Sequence, residues 1–281
     1  MGNWFKTTLL LGIMTALIIF IGSLLGGRQG MIIAFLLAIG MNFFSYYYSD
    51  KIVLKMYRAN EITPSENPSI YEIVSELAQR AQLPIPRIYI IPEDTPNAFA
   101  TGRNPDHAVV AVTRGLLNLM NRDEIMGVIA HEMAHIKNRD ILIGSIAATM
   151  AGAIMIIANM ARWAAIFGGG SDDEEGGLGG VGLIAMSILA PIAALLVQMA
   201  ISRSREYHAD STGASFTGKP SGLANALEKL GTYSGRIPMH TESPNTAHMF
   251  IVNPLKGSTI ANLFSTHPPL QERIARLRGA H

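Results

Sequence analysis

Four long apolar runs dominate this 281-residue chain. They are Thr7–Leu25, Met31–Tyr48, Ile141–Phe167 and Val181–Ile201. Each run reaches the length of about 17 to 25 residues that crosses a bilayer as a helix. A short glycine-rich turn at 26–30 joins the first two runs, and an acidic, glycine-rich loop at 168–177 joins the last two. We therefore predict a predominantly α membrane protein with transmembrane hairpins at 1–50 and 141–201.

Two alternatives to this four-helix layout remain open from the sequence. The first run has the position of a signal peptide, but it is long, no clear A-x-A site follows, and a second apolar run comes at once. The second pair of runs has the alternative of a buried hairpin within a soluble fold. Both of its runs exceed the usual length of a core helix, which favours spanning.

Composition excludes several classes of function. The formal net charge of +1 lacks the basic excess of a nucleic-acid-binding protein. The chain has no cysteine, which excludes disulfides, a thiolate zinc site and a cysteine nucleophile. Hydrophobic residues make up 49% of the chain and charged residues 15%, as expected when lipid covers part of the surface.

Lysine and arginine placement predicts the orientation in the membrane. In a four-span arrangement, one side receives most of the basic residues near the ends of the spans, and the other receives Arg28 and the acidic loop. The basic residues on the first side are Lys6, Lys51, Lys55, Arg58, Lys137, Arg139, Arg203 and Arg205. Because basic residues concentrate on the cytoplasmic side, the polar segments are expected in the cytoplasm.

The polar segments 51–140 and 202–281 are expected to form one soluble domain that the second hairpin divides. Apolar positions at helical spacing predict a helix over Ser69–Gln82, which Pro84 stops. The β-branched runs Arg87–Ile91 and Ala108–Thr113 indicate strands, and Asn97–Gly102 is a candidate third strand. This part is therefore expected to be α+β with a small sheet.

A chemical motif lies at residues 131–135, which read His-Glu-Met-Ala-His. Asn121 and Glu124 form a capping-box-like pair that predicts a helix beginning there, with the motif about two turns in. Histidines at i and i+4 lie on the same helix face, so both imidazoles can reach one Zn²⁺. Glu132 between them is then placed to act as general base on a zinc-bound water.

The third ligand of such a site is predicted after the last apolar run. Glu206 and Asp210 are four residues apart, so a helix presents both carboxylates on one face. One carboxylate can bind the metal while the other accepts a hydrogen bond from a ligand imidazole. The alternative is that Glu206 pairs with Arg203 or Arg205 on a solvated face. Glu-x-x-x-Asp after H-E-x-x-H resembles the thermolysin-like peptidases, and this resemblance implies Glu206 as ligand and Asp210 as the orienting group.

Four segments together resemble the HtpX-type membrane zinc metalloproteases, which are relatives of the CAAX prenyl proteases. The segments are HEMAH, SRSREYHAD, NAFATG and FSTHPPLQERI. The resemblance implies a gluzincin-type fold and one Zn²⁺ per chain, held by His131, His135 and Glu206 with Glu132 as base. It also implies an endopeptidase of bacterial quality control and stress response, acting on membrane proteins.

The resemblance gives two further segments a role. His267, and with less weight Arg273, is implied to lie near the zinc, where either can steady the oxyanion of the tetrahedral intermediate. The alternatives are a proline-stopped loop for the first and a structural ion pair for the second. The segment Asn97, Ala98, Phe99 and Ala100 is implied to be an edge strand that pairs with an extended substrate, the alternative being a plain core strand.

The sequence therefore predicts a zinc-dependent endopeptidase of the bacterial cytoplasmic (inner) membrane, multi-pass, with its active site facing the cytoplasm. Its expected partners are the bilayer and membrane-protein or unfolded polypeptide substrates; no oligomeric state follows from the sequence. Two rival functions are a non-catalytic zinc-binding membrane adaptor and a transporter. The intact Glu132 argues against the adaptor, and the scarcity of ionisable residues within the spans argues against the transporter.

Overall fold

A computed structural model of the chain describes residues 3–167, 203–233, 249–251 and 268–279. This part is mostly helical with one small mixed sheet. The helices are α1 Asn3–Met56, α2 Pro68–Ala81, α3 Arg114–Leu119, α4 Arg122–Lys137, α5 Ile141–Phe167, α6 Arg203–Thr217, α7 Pro220–Tyr233 and α8 Leu270–Leu277. The strands are β1 Asn60–Glu61, β2 Arg87–Ile91, β3 Ala98–Gly102 and β4 Ala108–Thr113. The predicted span Val181–Ile201, the acidic loop and His267 lie outside the described residues.

Helix α1 contains both of the first two apolar runs and reverses direction between them. Asn42 donates a hydrogen bond of 2.8 Å to Thr15 Oγ1, although a straight helix would separate these residues by about 40 Å. The reversal falls at Gly27, whose φ of +55° is one that other residues rarely adopt. The runs therefore pack as the predicted hairpin, while the helical conformation continues almost unbroken through the turn.

Only one helix among the described residues is long and apolar enough to cross a bilayer, Gly27–Met56. Thr7–Phe20 and Ile141–Gly152 are shorter apolar helical stretches. Many large apolar side chains of Gly27–Met56 and Thr7–Phe20 are exposed, Leu36 by 63%. This exposure is expected of helix faces that contact lipid. Four spanning helices thus stay a prediction, as do the domain boundaries drawn from them.

The sheet has the strand order β1-β2-β4-β3, so β3 is an edge strand. β2 and β4 run parallel, with Ile88 beside Val110, and β3 pairs antiparallel with β4, with Ala100 beside Val110. Both predicted strands and the candidate third strand are confirmed. All residues of β3 and β4 are buried, because α1 and α5 cover one face of the sheet and α2 and α4 the other.

Helix α2 begins one residue earlier than predicted. Asn67 caps it by accepting a hydrogen bond from the Ile70 N–H, and Pro68 occupies the first turn, where a missing N–H costs nothing. Gln82 ends the helix in the left-handed conformation. Its buried face, which includes Ile73 and Leu77, packs on the main core beneath α4.

Helix α4 is the centre of the polar domain. Asn121 and Glu124 form the predicted capping box at its start, with both reciprocal hydrogen bonds present. The helix packs against α2, α6, α7 and the strand β3, and it is buried on nearly all sides. The polar segments on either side of α5 therefore meet in one body, and a motif in the middle of α4 lies inside it.

Candidate active site

The two histidines of the motif project from one face of α4 towards each other. Their ring planes are perpendicular, and the two Nε2 atoms lie 3.2 Å apart. Four residues of helix rotate the chain by a little more than one turn, which places one imidazole above the other, as predicted. Their Nε2 atoms thus share one small space within the domain.

Glu206, on α6, completes this cluster from the opposite side. Its Oε1 lies 3.5 Å from His135 Nε2 and its Oε2 3.7 Å from His131 Nε2. Glu206 is only 5% exposed, so the alternative of a carboxylate on a solvated face is wrong. Arg205 instead lies 3.5 Å from Asp140.

Helix α6 can bring Glu206 this close because a glycine faces α4. A Cβ added to Gly213, two turns after Glu206, would lie 2.9 Å from the backbone of Ala130 and His131. That separation is shorter than real Cβ contacts allow. The missing side chain therefore sets the distance between the helix with two histidines and the helix with the carboxylate.

The three groups fit a cation with tetrahedral coordination. One ligand atom from each of His131, His135 and Glu206 lies within 4.8 Å of the others. Two ligands about 2.1 Å from one tetrahedral ion stand about 3.4 Å apart, close to the separation of the Nε2 atoms. Imidazole and carboxylate donors without thiolate suit Zn²⁺ well, and three protein ligands leave one coordination position for water.

Asp210 orients the first histidine and is itself held by an arginine. Its Oδ1 lies 2.9 Å from His131 Nδ1, which directs Nε2 of that ring towards the cluster. Fully buried Arg273, from α8, donates to both Asp210 oxygens, at 2.9 and 2.7 Å. Burial raises the pKa of Asp210, but Arg273 and His131 outweigh it and lower the pKa to about 2. The carboxylate is therefore charged, as its role requires.

Asp140 makes the equivalent contact to the second histidine, and the sequence reasoning missed it. Its Oδ2 lies 3.2 Å from His135 Nδ1, and the Asp140 N–H donates to the His135 carbonyl at 2.9 Å. Burial lowers the pKa of His135, but Glu206, Asp140 and Glu132 outweigh it and raise the pKa to about 9. The only signal was an aspartate just past the helix end, five residues after the second histidine.

The Glu132 carboxylate, on the same helix as the two histidines, contacts the edge strand of the sheet. Its Oε2 accepts a 2.8 Å hydrogen bond from the Ala100 N–H of β3. Burial is the largest influence on this carboxyl and raises its pKa to about 8. A cation beside it would lower that pKa, since positive charge favours the carboxylate. The group therefore suits proton transfer near neutral pH.

The edge strand carries the predicted segment Asn97–Ala100 next to Glu132. The Ala98 carbonyl accepts from the Ile251 N–H at 3.2 Å, so residues 249–251 already lie along part of this edge. Arg273 donates to the Ile251 carbonyl at 3.2 Å. The arginine thus braces Asp210 and the neighbouring chain. Whether a substrate pairs with this edge stays a prediction.

Two histidines and a glutamate that could hold a metal ion, a carboxylate on the motif helix and an adjacent edge strand fit a metallohydrolase site. The class is that of the H-E-x-x-H zinc peptidases, in which the metal and the glutamate act together on water. The chain matches the model of Peptidase family M48 over residues 64–281 and belongs to that family. It is a metalloprotease, as the sequence predicted.

Sequence relatives agree with this assignment. The chain is 69% identical to "Protease HtpX homolog" of Desulforapulum autotrophicum over 99% of its own length and 90% of the relative's. It is 56% identical to the homolog of Pyrococcus furiosus, over 99% of this chain and 96% of the relative. The crystal structure of S. mikatae Ste24p covers 95% of this chain at 18% identity with a TM-score of 0.49, and the chain spans 62% of that structure's length.

Proposed function

We propose that the chain is a zinc-dependent endopeptidase at the cytoplasmic face of the membrane, with membrane or unfolded proteins as substrates. One observation carries the proposal. His131, His135 and Glu206 converge within 4.8 Å, and Glu132, on the helix of the two histidines, accepts a hydrogen bond from the Ala100 N–H of the edge strand. This arrangement combines a cation site, a proton acceptor and a place for an extended chain.

Zn²⁺ would be held by His131, His135 and Glu206, where it would lower the pKa of a bound water and polarise the scissile carbonyl. Glu132 accepts the proton of the attacking water at its carboxylate and delivers it to the leaving amine. Asp140 and Asp210 fix the two imidazole rings through their Nδ1 atoms. His267 is proposed as a further oxyanion donor, on the resemblance alone.

A membrane location is supported by the apolar hairpin of α1 and by the basic residues that follow it. Lys51 and Lys55 lie near the end of the helix Gly27–Met56, and Arg58 follows it, on the side where the catalytic domain lies. The catalytic helix α4 leads directly into apolar α5 through residues 138–140. A site held this near the bilayer favours substrates that reside in it, which is the basis for proposing a role in membrane-protein quality control.

The decisive experiment compares Glu132→Gln with Glu124→Gln in purified, zinc-loaded protein. Glu132→Gln should abolish casein cleavage and retain one zinc per chain, because the amide cannot accept the proton but leaves the ligands intact. Glu124 is a matched control: it is buried on the same helix and pairs with Lys229 at 2.7 Å, away from the site. Full cleavage by Glu132→Gln contradicts the mechanism, and wild-type protein that binds zinc without cleaving supports the adaptor instead.

A further inference from the structure

Three contacts fix the direction of the sheet relative to α1. The Tyr57 ring packs on Phe99, with centroids 5.8 Å apart. The Arg103 guanidinium, one residue beyond β3, lies 5.4 Å from the centroid of the Tyr47 ring. The third contact is an ion pair of 3.4 Å between Asp50 and Arg87, which begins β2. The contacts of Tyr47 and Asp50 lie at the carboxyl end of β3, where β2 begins, whereas the contact of the later residue Tyr57 lies near the amino end of β3.

The distances along the two elements agree with an antiparallel arrangement. From Tyr47 to Tyr57 the helix rises by about 15 Å. From Phe99 to Arg103 an extended strand covers about 13 Å. Because both pairs of ends are in contact, β3 runs alongside the last part of α1 in the opposite direction.

The Tyr47 end is the membrane end. The apolar helix up to this point has exposed Phe43, Phe44 and Tyr48, and the charged residues Asp50 and Lys51 follow. Aromatic residues followed by lysine mark the boundary between hydrocarbon and headgroups. The carboxyl end of β3 therefore points at the bilayer, and its amino end points into the cytoplasm.

The catalytic carboxylate lies partway along this strand. Glu132 bonds to the Ala100 N–H, which precedes Arg103 by three residues, or about 10 Å of extended chain. The groups of the strand that face away from β4 include the Ala98 carbonyl, which accepts from Ile251, and the Ala100 N–H, which donates to Glu132. The Ala98 N–H donates to the Asn97 Oδ1 atom. A substrate that pairs with this edge at Ala98 replaces Ile251 there and meets Glu132 about 10 Å from the aromatic boundary.

We propose that β3 makes the enzyme directional: it cleaves chains anchored in the membrane on the amino-terminal side of the scissile bond. Antiparallel pairing is the more stable geometry and is the one that β3 already makes with β4. A substrate antiparallel to β3 runs from the bilayer outwards, so its amino-terminal part comes from the membrane. The inference rests on the proposed function and adds the polarity of its substrates.

The test uses one cleavable segment in three forms, presented to zinc-loaded enzyme in proteoliposomes. In the first, the segment follows a single apolar span; in the second, it precedes the span; in the third, it has no anchor. We expect the first to be cleaved at least about tenfold faster than the second, because the reversed chain forfeits several backbone hydrogen bonds to β3. Equal rates, or faster cleavage of the second form, overturn the inference. Failure to cleave any form, including the free segment, overturns the proposed function itself.

An independent measurement tests the direction of β3 without catalysis. The chain has no cysteine, so Asp106→Cys and Asp94→Cys each carry a single fluorophore, at the exposed carboxyl-end and amino-end loops of β3 respectively. A spin label at lipid headgroup level should quench the fluorophore at position 106 and leave the one at position 94 bright. Stronger quenching at position 94 overturns the inference even if the enzyme cleaves the first form of the substrate faster than the second.

Discussion

Each candidate histidine ligand has its own buried aspartate. Asp210 reaches His131 Nδ1 from another helix, whereas Asp140 reaches His135 Nδ1 from the short connection that follows the helix of the histidines. In both cases the carboxylate fixes the ring and leaves Nε2 for the ion. The two contacts differ in how they are supported, since Arg273 donates to both oxygens of Asp210 while Asp140 has Arg205 at 3.5 Å.

Asp140→Ala should weaken zinc binding by about 10- to 100-fold, because His135 loses the group that orients its ring. Asp140→Asn retains an acceptor oxygen and should recover part of the affinity. The measurement is a titration of the zinc-loaded protein with a competing chelator. Asp123→Ala, which changes an exposed aspartate on helix α4, serves as the control. Equal affinities for all variants would show that Asp140 only packs against the histidine.

Arg273→Met should destabilise the protein by about 3–5 kcal/mol, because it leaves the Asp210 carboxylate buried without its cation. The low pKa of Asp210, about 2, means that its stabilisation is present above the ordinary value of 3.8 and is lost as the pH falls towards 2. Arg273→Met raises that pKa, so the variant loses less stability than the wild type on acidification, and the difference in stability between the two should narrow as the pH falls below 3.8.

Thermal unfolding in detergent between pH 3 and pH 8, read as Tm, checks this prediction. Arg276→Met is the matched control, because Arg276 is exposed on the same helix and pairs with Glu272 at 3.0 Å. The control should follow the wild-type profile within about 0.5 kcal/mol. A profile of Arg273→Met that parallels the control would contradict the role assigned to the buried pair.

At the scale of elements, close packing of helices builds the site. Gly213 brings α6 against α4, and Gly127 does the same for α7, since a Cβ there would lie 2.4 Å from the Leu223 nitrogen. Both glycines have ordinary helical backbone angles, so glycine is required there because a larger side chain would not fit, and not because of an unusual φ. The distance between Glu206 and the two histidines therefore depends on glycine, which has no side chain to hold the helices apart.

Gly213→Ala should lower stability by about 1–3 kcal/mol and weaken zinc binding, because α6 must move away from α4 and carry Glu206 with it. Gly144→Ala is the control: it adds the same methyl group to helix α5, where a Cβ meets nothing within 4 Å. Chemical unfolding and the chelator titration measure both quantities. If Gly213→Ala binds zinc as the wild type does, this close approach does not position the ligand.

The whole molecule joins a compact catalytic body to an apolar hairpin. The body is assembled from segments before and after α5, with α6 and α7 packed on α4. The hairpin places Arg28 at its turn and Lys51 near the catalytic body. The proposed topology therefore puts these two residues on opposite sides of the bilayer.

A membrane-impermeant maleimide should label Arg28→Cys, and not Lys51→Cys, in intact cells without an outer membrane. In inverted vesicles the result should reverse. The wild type gives no background, since it has no cysteine. Ser171→Cys, in the acidic loop outside the described residues, tests the second hairpin. Its labelling from the cytoplasmic side alone would contradict the four-span layout.

Local patterns predicted most of the elements. The capping box at Asn121, the strands Arg87–Ile91 and Ala108–Thr113 and the reversal near Gly27 all follow from neighbouring residues and are confirmed. The parallel pairing of β2 with β4 and the short strand β1 were missed. Strand pairing depends on contacts between residues distant in the sequence, which no local pattern records.

The sequence by itself determined which groups can act. Helical periodicity places His131 and His135 on one face, and the same rule places Glu206 and Asp210 on one face of another helix. Only the tertiary structure decided how those faces meet, because the approach of α4 to α6 is set by packing around Gly213. It also revealed Asp140 as a partner of His135, Arg273 as the cation of Asp210 and the direction of β3 relative to the apolar helix. These are properties of distance and orientation, which arise when the chain packs.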